Sequence, residues 1–153
     1  MKRIYIIGIV LALAVLSVIA SGAKTNPTVE SDISWDSAQT KELFYKACAD
    51  CHSNQTKWPW YTNVAPVSWF VIHNVNEGRE KFNISVQHIG ETDDLTESIA
   101  ENKMPPQDYL LLHPNAKLSS QEKQTLIDGL AKTFSVSLEN NIKENRRNDD
   151  DDD

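Results

Sequence analysis

The segment Cys48-Ala49-Asp50-Cys51-His52 constrains this chain more than any other. Two thiols one helical turn apart, followed at once by an imidazole, form the C-x-x-C-H pattern of covalent haem attachment. Thiols at that spacing reach the two vinyl groups of one haem, and the next residue brings an imidazole under the iron. Cys48 and Cys51 are therefore expected as thioether anchors of haem c, and His52 as the proximal iron ligand. The other ring nitrogen of His52 should donate to a backbone carbonyl in the following loop, with Pro59 and Pro66 as the candidates. Other chemistries fit less of the motif. A zinc site needs four ligands, yet there is no second cysteine pair and His73, His88 and His113 are scattered. A redox dithiol needs a βαβ context, and a plain disulfide leaves His52 without a role.

The N-terminus reads as an address. Met1-Lys2-Arg3 is a short basic start, Ile4 to Ala20 carries no charge, and Ser21-Gly22-Ala23 supplies the small residues of a cleavage site before Lys24. An uncleaved membrane anchor is the alternative. In either case residues 24–153 are expected outside the cytoplasm, in the periplasm or on the outer face of the inner membrane. The net charge of −7 becomes more acidic once Lys2 and Arg3 are lost. Such a surface repels nucleic acid and anionic headgroups, and it suits a basic protein partner or simple solubility.

The expected organisation is a signal or anchor over 1–23, a linker over 24–34, one folded domain over 35–136 and a disordered acidic tail over 137–153 ending in five aspartates. The folded part reads as all-α, with four short helices and no strand. The first runs from Ser37 to Cys51 with Asp36 as N-cap. The second runs from Pro66 to Gly78 with Val67, Phe70, Val71 and Val75 as its apolar stripe. The third runs from Asp93 to Asn102, capped by Thr92, with Leu95 and Ile99 inward. The fourth runs from Ser120 to Phe134 behind a Ser119/Glu122 capping box, with Leu126, Ile127, Leu130 and Phe134 buried. Four short helices bury little apolar surface, so a large apolar ligand at the centre would supply much of the core.

Met104 is the candidate for the sixth iron ligand. It precedes Pro105 and Pro106, so it should lie on stiff, extended chain just beyond a helix, and it is the one methionine besides Met1. Methionine ligation raises the potential of a haem couple. Packing is the plain alternative role for it, and His73 on the second helix is the rival ligand.

The residues now carry a resemblance. Class I cytochrome c domains pair a helix running into C-x-x-C-H with a Met-Pro loop and a final helix, as do Cys48 to His52, Met104-Pro105 and Leu118-Ser119-Ser120-Gln121-Glu122 here. The chain more closely resembles the bacterial haem-binding domain family, similar to cytochrome c, over about residues 37–134. The residues that carry this are Cys51-His52-Ser53-Asn54, Trp58-Pro59-Trp60-Tyr61, Ala65-Pro66-Val67-Ser68-Trp69, His73, Glu77-Gly78-Arg79, Asn83, Met104-Pro105-Pro106, Tyr109, Leu112-His113-Pro114 and Leu118-Ser119. The resemblance implies a small cytochrome c-like domain around one haem. The aromatic cluster Trp58, Trp60, Tyr61 and Trp69 just after the haem motif reads as walls of the haem pocket, or as an electron relay or radical site, and the Arg79 guanidinium fits a haem propionate. One departure stands out. Asp128-Gly129 replaces an aromatic of the last helix, and a glycine there costs about 1 kcal/mol against alanine, so the contact between first and last helices is expected to be loose or to fall to Phe134.

Three functions follow from these residues. The first is a monohaem electron carrier with His52 and Met104 on the iron and a redox protein of the cell envelope as partner. The second is a haem sensor or ligand-binding module with an open or His-ligated distal side. The third is a peroxidase-like enzyme with His73 as acid-base group.

Overall fold

The computed structural model describes the backbone of residues 2–20, 22–92 and 94–150, with side chains through Ser135 except those of residues 2, 3, 14 and 19. Met1, Ser21 of the cleavage motif, Asp93 as a helix start and Asp151 to Asp153 of the aspartate run lie outside the described residues. Seven α-helices follow one another among those described: α1 (Lys2–Ile19), α2 (Ala38–Ala47), α3 (Ala49–His52), α4 (Val67–Lys81), α5 (Leu95–Ala100), α6 (Gln107–Leu112) and α7 (Ser120–Asp150). Short 3-10 turns lie at Trp60–Asn63 and Pro114–Ala116, and the extended pairing seen there is a single bridge between Phe82 and Gly90. The all-α expectation holds at that level.

The expected first helix is two. Ser37, not Asp36, is the N-cap: its Oγ accepts the Thr40 N–H at 3.1 Å, because Ser37 has the extended backbone that a cap requires. The helix breaks at Cys48, whose φ of −125° leaves the α region, and restarts as the single turn α3. The second helix runs three residues past Gly78 to Lys81. Val75 of its expected stripe is buried, whereas Val67 and Phe70 are exposed. The third helix is shorter than expected and follows Asp94 instead of Thr92; its Ile99 is buried and Leu95 partly so. The Ser119/Glu122 capping box is formed reciprocally: Ser119 N–H donates to Glu122 Oε2 at 2.7 Å and Glu122 N–H to Ser119 Oγ at 3.2 Å. Behind it α7 continues as helix to Asp150, through the stretch expected to be disordered. Residues 137–150 contain no glycine or proline, and their Glu, Lys and Arg residues are good helix formers.

The core forms where α2 lies on α7 and α5 on α7. Leu43 and Phe44 of α2 meet Ile99 of α5 and Leu126, Leu130 and Phe134 of α7, each worth about 1.5–3 kcal/mol when fully buried. Phe82 closes the stack, edge-on to Phe44 (ring centroids 6.0 Å apart) and to Phe134 (5.5 Å). The loop after α4 doubles back at Gly90, whose φ of +92° and 2.3 Å approach of a would-be β-carbon to the Lys81 carbonyl admit no other residue type without strain.

The segment 24–34 is not a free linker. It runs as a strap across the C-x-x-C-H loop, with Glu30 N–H donating to the Ser85 carbonyl at 2.8 Å, Ser31 Oγ to the Val86 carbonyl at 2.9 Å and Asn26 Nδ2 to the Thr56 carbonyl at 2.9 Å. Its polar sequence supplies those hydrogen-bonding groups, which composition alone reads as solvated chain. Helix α1 is apolar and exposed along the sides described, and it touches the domain where Ala65 N–H meets the Ser17 carbonyl (3.2 Å) and Trp69 Nε1 meets that of Ala20. Among the described residues no helix is long and apolar enough to cross a membrane.

Candidate functional site: an apolar cavity over the C-x-x-C-H turn

Helix α3 lies against α4, and the two approach closely because of Gly78: a β-carbon there would sit 2.8 Å from the Cys51 carbonyl oxygen. This brings Cys48, Cys51 and His52 to one wall of a predominantly apolar cavity of about 400 Å³. Val71 and Val75 of α4 form a second wall, and Met104, Pro105 and Tyr109 face them. Cavities of this size hold cofactor-sized ligands. Both cysteines are free thiols. Burial pushes the Cys48 thiol up to about 12 and that of Cys51 up to about 11, the latter with help from the neighbouring Asp50 carboxylate. Both shifts favour the protonated thiol. Among the described residues no group of three or more His, Cys, Asp or Glu side chains converges on a metal position.

His52 is held at both ends. Its backbone carbonyl accepts the Ile84 N–H at 3.0 Å, and its Nδ1 lies 3.0 Å from the Phe82 carbonyl. A carbonyl only accepts, so Nδ1 carries the proton and Nε2 keeps its lone pair. The acceptor is Phe82, at the end of α4, and not Pro59 or Pro66. Burial lowers the imidazole pKa, opposed by backbone hydrogen bonds to Phe82 and Gly78.

The remaining expected residues divide. Met104 and Tyr61 line the cavity. Trp58 and Trp60 do not: Trp58 turns its Nε1 to Asn26 Oδ1 (3.1 Å) on the strap, and Trp60 points outward with 78% of its surface exposed. The 3-10 turn Trp60–Asn63 aims Tyr61 inward and Trp60 outward, an alternation that clustering in sequence cannot show. His73 projects from the outer side of α4, 70% exposed and 3.6 Å from Glu77, outside the cavity lining. Arg79 spends its guanidinium on the chain around it: Nε on the Ser53 carbonyl (2.9 Å), one terminal nitrogen on the Thr25 carbonyl (2.9 Å) and the other on Asn26 Oδ1 (3.0 Å) and Thr56 Oγ1 (2.7 Å). It ties the strap to the loop after His52, a different place from the expected propionate partner.

Sequence reasoning passed over a polar seam on the opposite wall. His113 Nδ1 donates to the Tyr109 carbonyl (3.0 Å), so its Nε2 accepts the Tyr61 hydroxyl (3.0 Å), and its ring stacks on Tyr109 with centroids 4.0 Å apart. The Tyr109 hydroxyl donates to Asp50 Oδ2 at 2.9 Å, inside the C-x-x-C-H turn itself. Burial and the Asp50 charge raise the Tyr109 phenol far above its ordinary value, so it stays a donor. The signal was present: Pro106 ahead of Tyr109 and His113 at i, i+4 spacing marks a short helix with both rings on one side.

Neither the comparison with curated proteins nor that with solved structures finds a match. The family model described as "Haem-binding domain" matches residues 9–132, which takes in the strap and most of α1 beyond the 37–134 expected from motifs. Cavity, motif and match agree, and the chain belongs to the haem-binding domain family.

Proposed function

We propose that this is a monohaem c-type cytochrome of the bacterial cell envelope, exported by its N-terminal segment, that carries single electrons between protein partners. The observation that carries the reading is the convergence on one apolar cavity of two free thiols, an imidazole held through Nδ1 by the Phe82 carbonyl, and a methionine. The residues fit a haem. The cavity has cofactor size and apolar walls, Cys48 and Cys51 stand one turn apart to form thioethers, and the Phe82 carbonyl takes the Nδ1 side of His52. Met104 is the only other soft ligand on the lining, and His113, the other histidine there, has both ring nitrogens occupied. When bound, haem supplies the one-electron ferrous-ferric couple.

The rest is the work of the chain. Cys48 and Cys51 anchor the cofactor, so it cannot be lost outside the cell. The Phe82 carbonyl orients His52 and enriches its Nε2. The Tyr61-His113-Tyr109-Asp50 seam braces the wall formed by α6. The acidic net charge of −7 would steer a basic redox partner. Fold class I of cytochrome c, the His/Met ligand pair and the periplasmic location belong to this proposal.

The test is the absorption spectrum and mass of the full chain made in a host that assembles c-type cytochromes. A pyridine adduct of the doubly thioether-linked type, a mass raised by one haem and a sulfur-to-iron band at the red edge of the ferric spectrum are expected. A colourless protein of bare polypeptide mass overturns the reading. Covalent haem with ready carbon monoxide binding would replace the electron carrier with a ligand-binding module.

A further inference from the structure

Three segments distant in sequence meet at the loop after His52, and they meet through buried amides. Asn83 Nδ2 donates to Asn54 Oδ1 at 2.9 Å, and Asn83 Oδ1 accepts the Ser85 N–H at 2.9 Å. Ser85 Oγ in turn accepts the Asn54 N–H at 2.9 Å, and Asn54 Nδ2 donates to the Thr28 carbonyl of the strap at 2.8 Å. Asn54, Asn83 and Ser85 are all buried. The same loop, 82–85, grips His52 on two sides, through the Phe82 carbonyl on Nδ1 and the Ile84 N–H on the backbone carbonyl.

We propose that Asn54 and Asn83 are positioning residues for His52, and that the N-terminal strap is part of the site through Thr28. The inference rests on the reading of His52 as the iron's nitrogen ligand and goes beyond it. The direction of the Phe82 carbonyl is fixed by the turn that Asn83 Oδ1 closes onto Ser85, and Asn54 locks that turn to the loop leaving His52. A buried amide that loses one partner leaves the other unsatisfied, so the network holds or fails as a unit. The hydrogen bond at Nδ1 sets ring orientation and the basicity of Nε2. What tunes the ligand is therefore a chain of amides running from the strap, through Asn54 and Asn83, to the Phe82 carbonyl.

The experiment uses the full chain made in a cytochrome-assembling host, with three variants. Asn83→Asp keeps the oxygen for Ser85 and loses the donor to Asn54. Asn54→Asp keeps the acceptor for Asn83 and loses the donor to Thr28. Thr133→Val removes a buried hydroxyl on α7 that accepts the Asp36 N–H and serves as the control for plain destabilisation. Thermal midpoint, reduction potential and exchange of the His52 Nδ1 proton in the reduced, diamagnetic protein are measured on each. Exchange should rise about fivefold or more in Asn83→Asp, the equivalent of losing about one net hydrogen bond, with a more positive potential as Nε2 becomes a poorer donor. Asn54→Asp should move both in the same direction, and it carries the test should Asn83→Asp not accumulate. Thr133→Val should lower the midpoint and leave exchange and potential unchanged. Aspartate variants that lose stability as Thr133→Val does, with exchange and potential at wild-type values, would overturn the proposal. A wild-type chain that takes up no haem would instead overturn the haem reading, a separate result.

Discussion

Gly129 of α7 lies against Thr40 of α2 so closely that a β-carbon built on it would stand 2.0 Å from Thr40 Oγ1, 2.7 Å from Cγ2 and 2.9 Å from Cβ. The glycine does not loosen the contact between first and last core helices, as its low helix propensity suggests; it permits the contact. Thr40 is itself buried and tied to Ser37 Oγ at 2.9 Å, so it cannot turn aside freely. Gly129→Ala gains about 1 kcal/mol of helix propensity and overpacks the helix crossing at a cost of about 1–3 kcal/mol, with backbone displacement added. The expected net effect is destabilisation by denaturant titration. Adding Thr40→Ala removes the two closest atoms and should recover part of the loss. A Gly129→Ala chain as stable as wild type would show that the helices do not meet as described.

Arg79 joins the strap to the loop after His52 through four hydrogen bonds, three of them to groups outside that loop's own backbone. Arg79→Ala should cost about 2 kcal/mol, in the range for hydrogen bonds from a charged donor at a half-buried site. It should also expose segment 24–34 to limited proteolysis. Arg79→Lys should recover little, since an ammonium cannot span the Ser53, Thr25 and Thr56 oxygens at once. A shift in reduction potential with no gain in strap cleavage would point back to a propionate contact.

Glu122 carries a pH dependence whose sign is fixed. Its hydrogen bond from Lys46 Nζ (2.6 Å), together with those from Ser119, holds the carboxyl down at about 2 from an ordinary 4.5. A depressed folded pKa gives stability that is present above 4.5 and lost as pH falls toward 2. Denaturant midpoints of wild type and Glu122→Gln should therefore differ at pH 7 and converge as pH drops through that window. A gap that persists at pH 2 would assign the difference to packing. The same carboxylate caps α7, so helix content should fall in parallel.

What could be read from the chain follows the range of the interactions involved. The Ser119/Glu122 box and the apolar stripe of α7 are local patterns, and they stand where the residues said. The Phe82 acceptor, the strap and the Tyr61-His113 contact join residues 30, 54 and 52 positions apart, as in His52–Phe82, Thr25–Arg79 and Tyr61–His113, and no local pattern encodes such pairings. Trp58 and Trp60 misled for a related reason. Aromatic clustering signals burial only on average, and a 3-10 turn places neighbouring rings on opposite sides. Gly129 misled because propensity is a weak prior that a close helix crossing overrides.

Met104 and His73 were rivals for one position, and the fold separates them: Met104 borders the cavity that His52 borders, and His73 sits on the outer side of α4 beside Glu77. Met104 is also half-held by the core, with its backbone N–H on the Ser98 carbonyl at 3.0 Å, so the sulfur is carried on a fixed loop. In the haem-loaded chain, Met104→Ala should abolish the red-edge ferric band, lower the reduction potential and open the iron to carbon monoxide, because a thioether favours the ferrous state. Met104→His should restore six-coordination at a lower potential than wild type. His73→Ala should leave band, potential and carbon monoxide binding as they are, since an exposed side chain 3.6 Å from Glu77 has no path to the cavity. A His73→Ala protein with an altered spectrum, alongside a Met104→Ala protein with none, would reverse the assignment of the distal side.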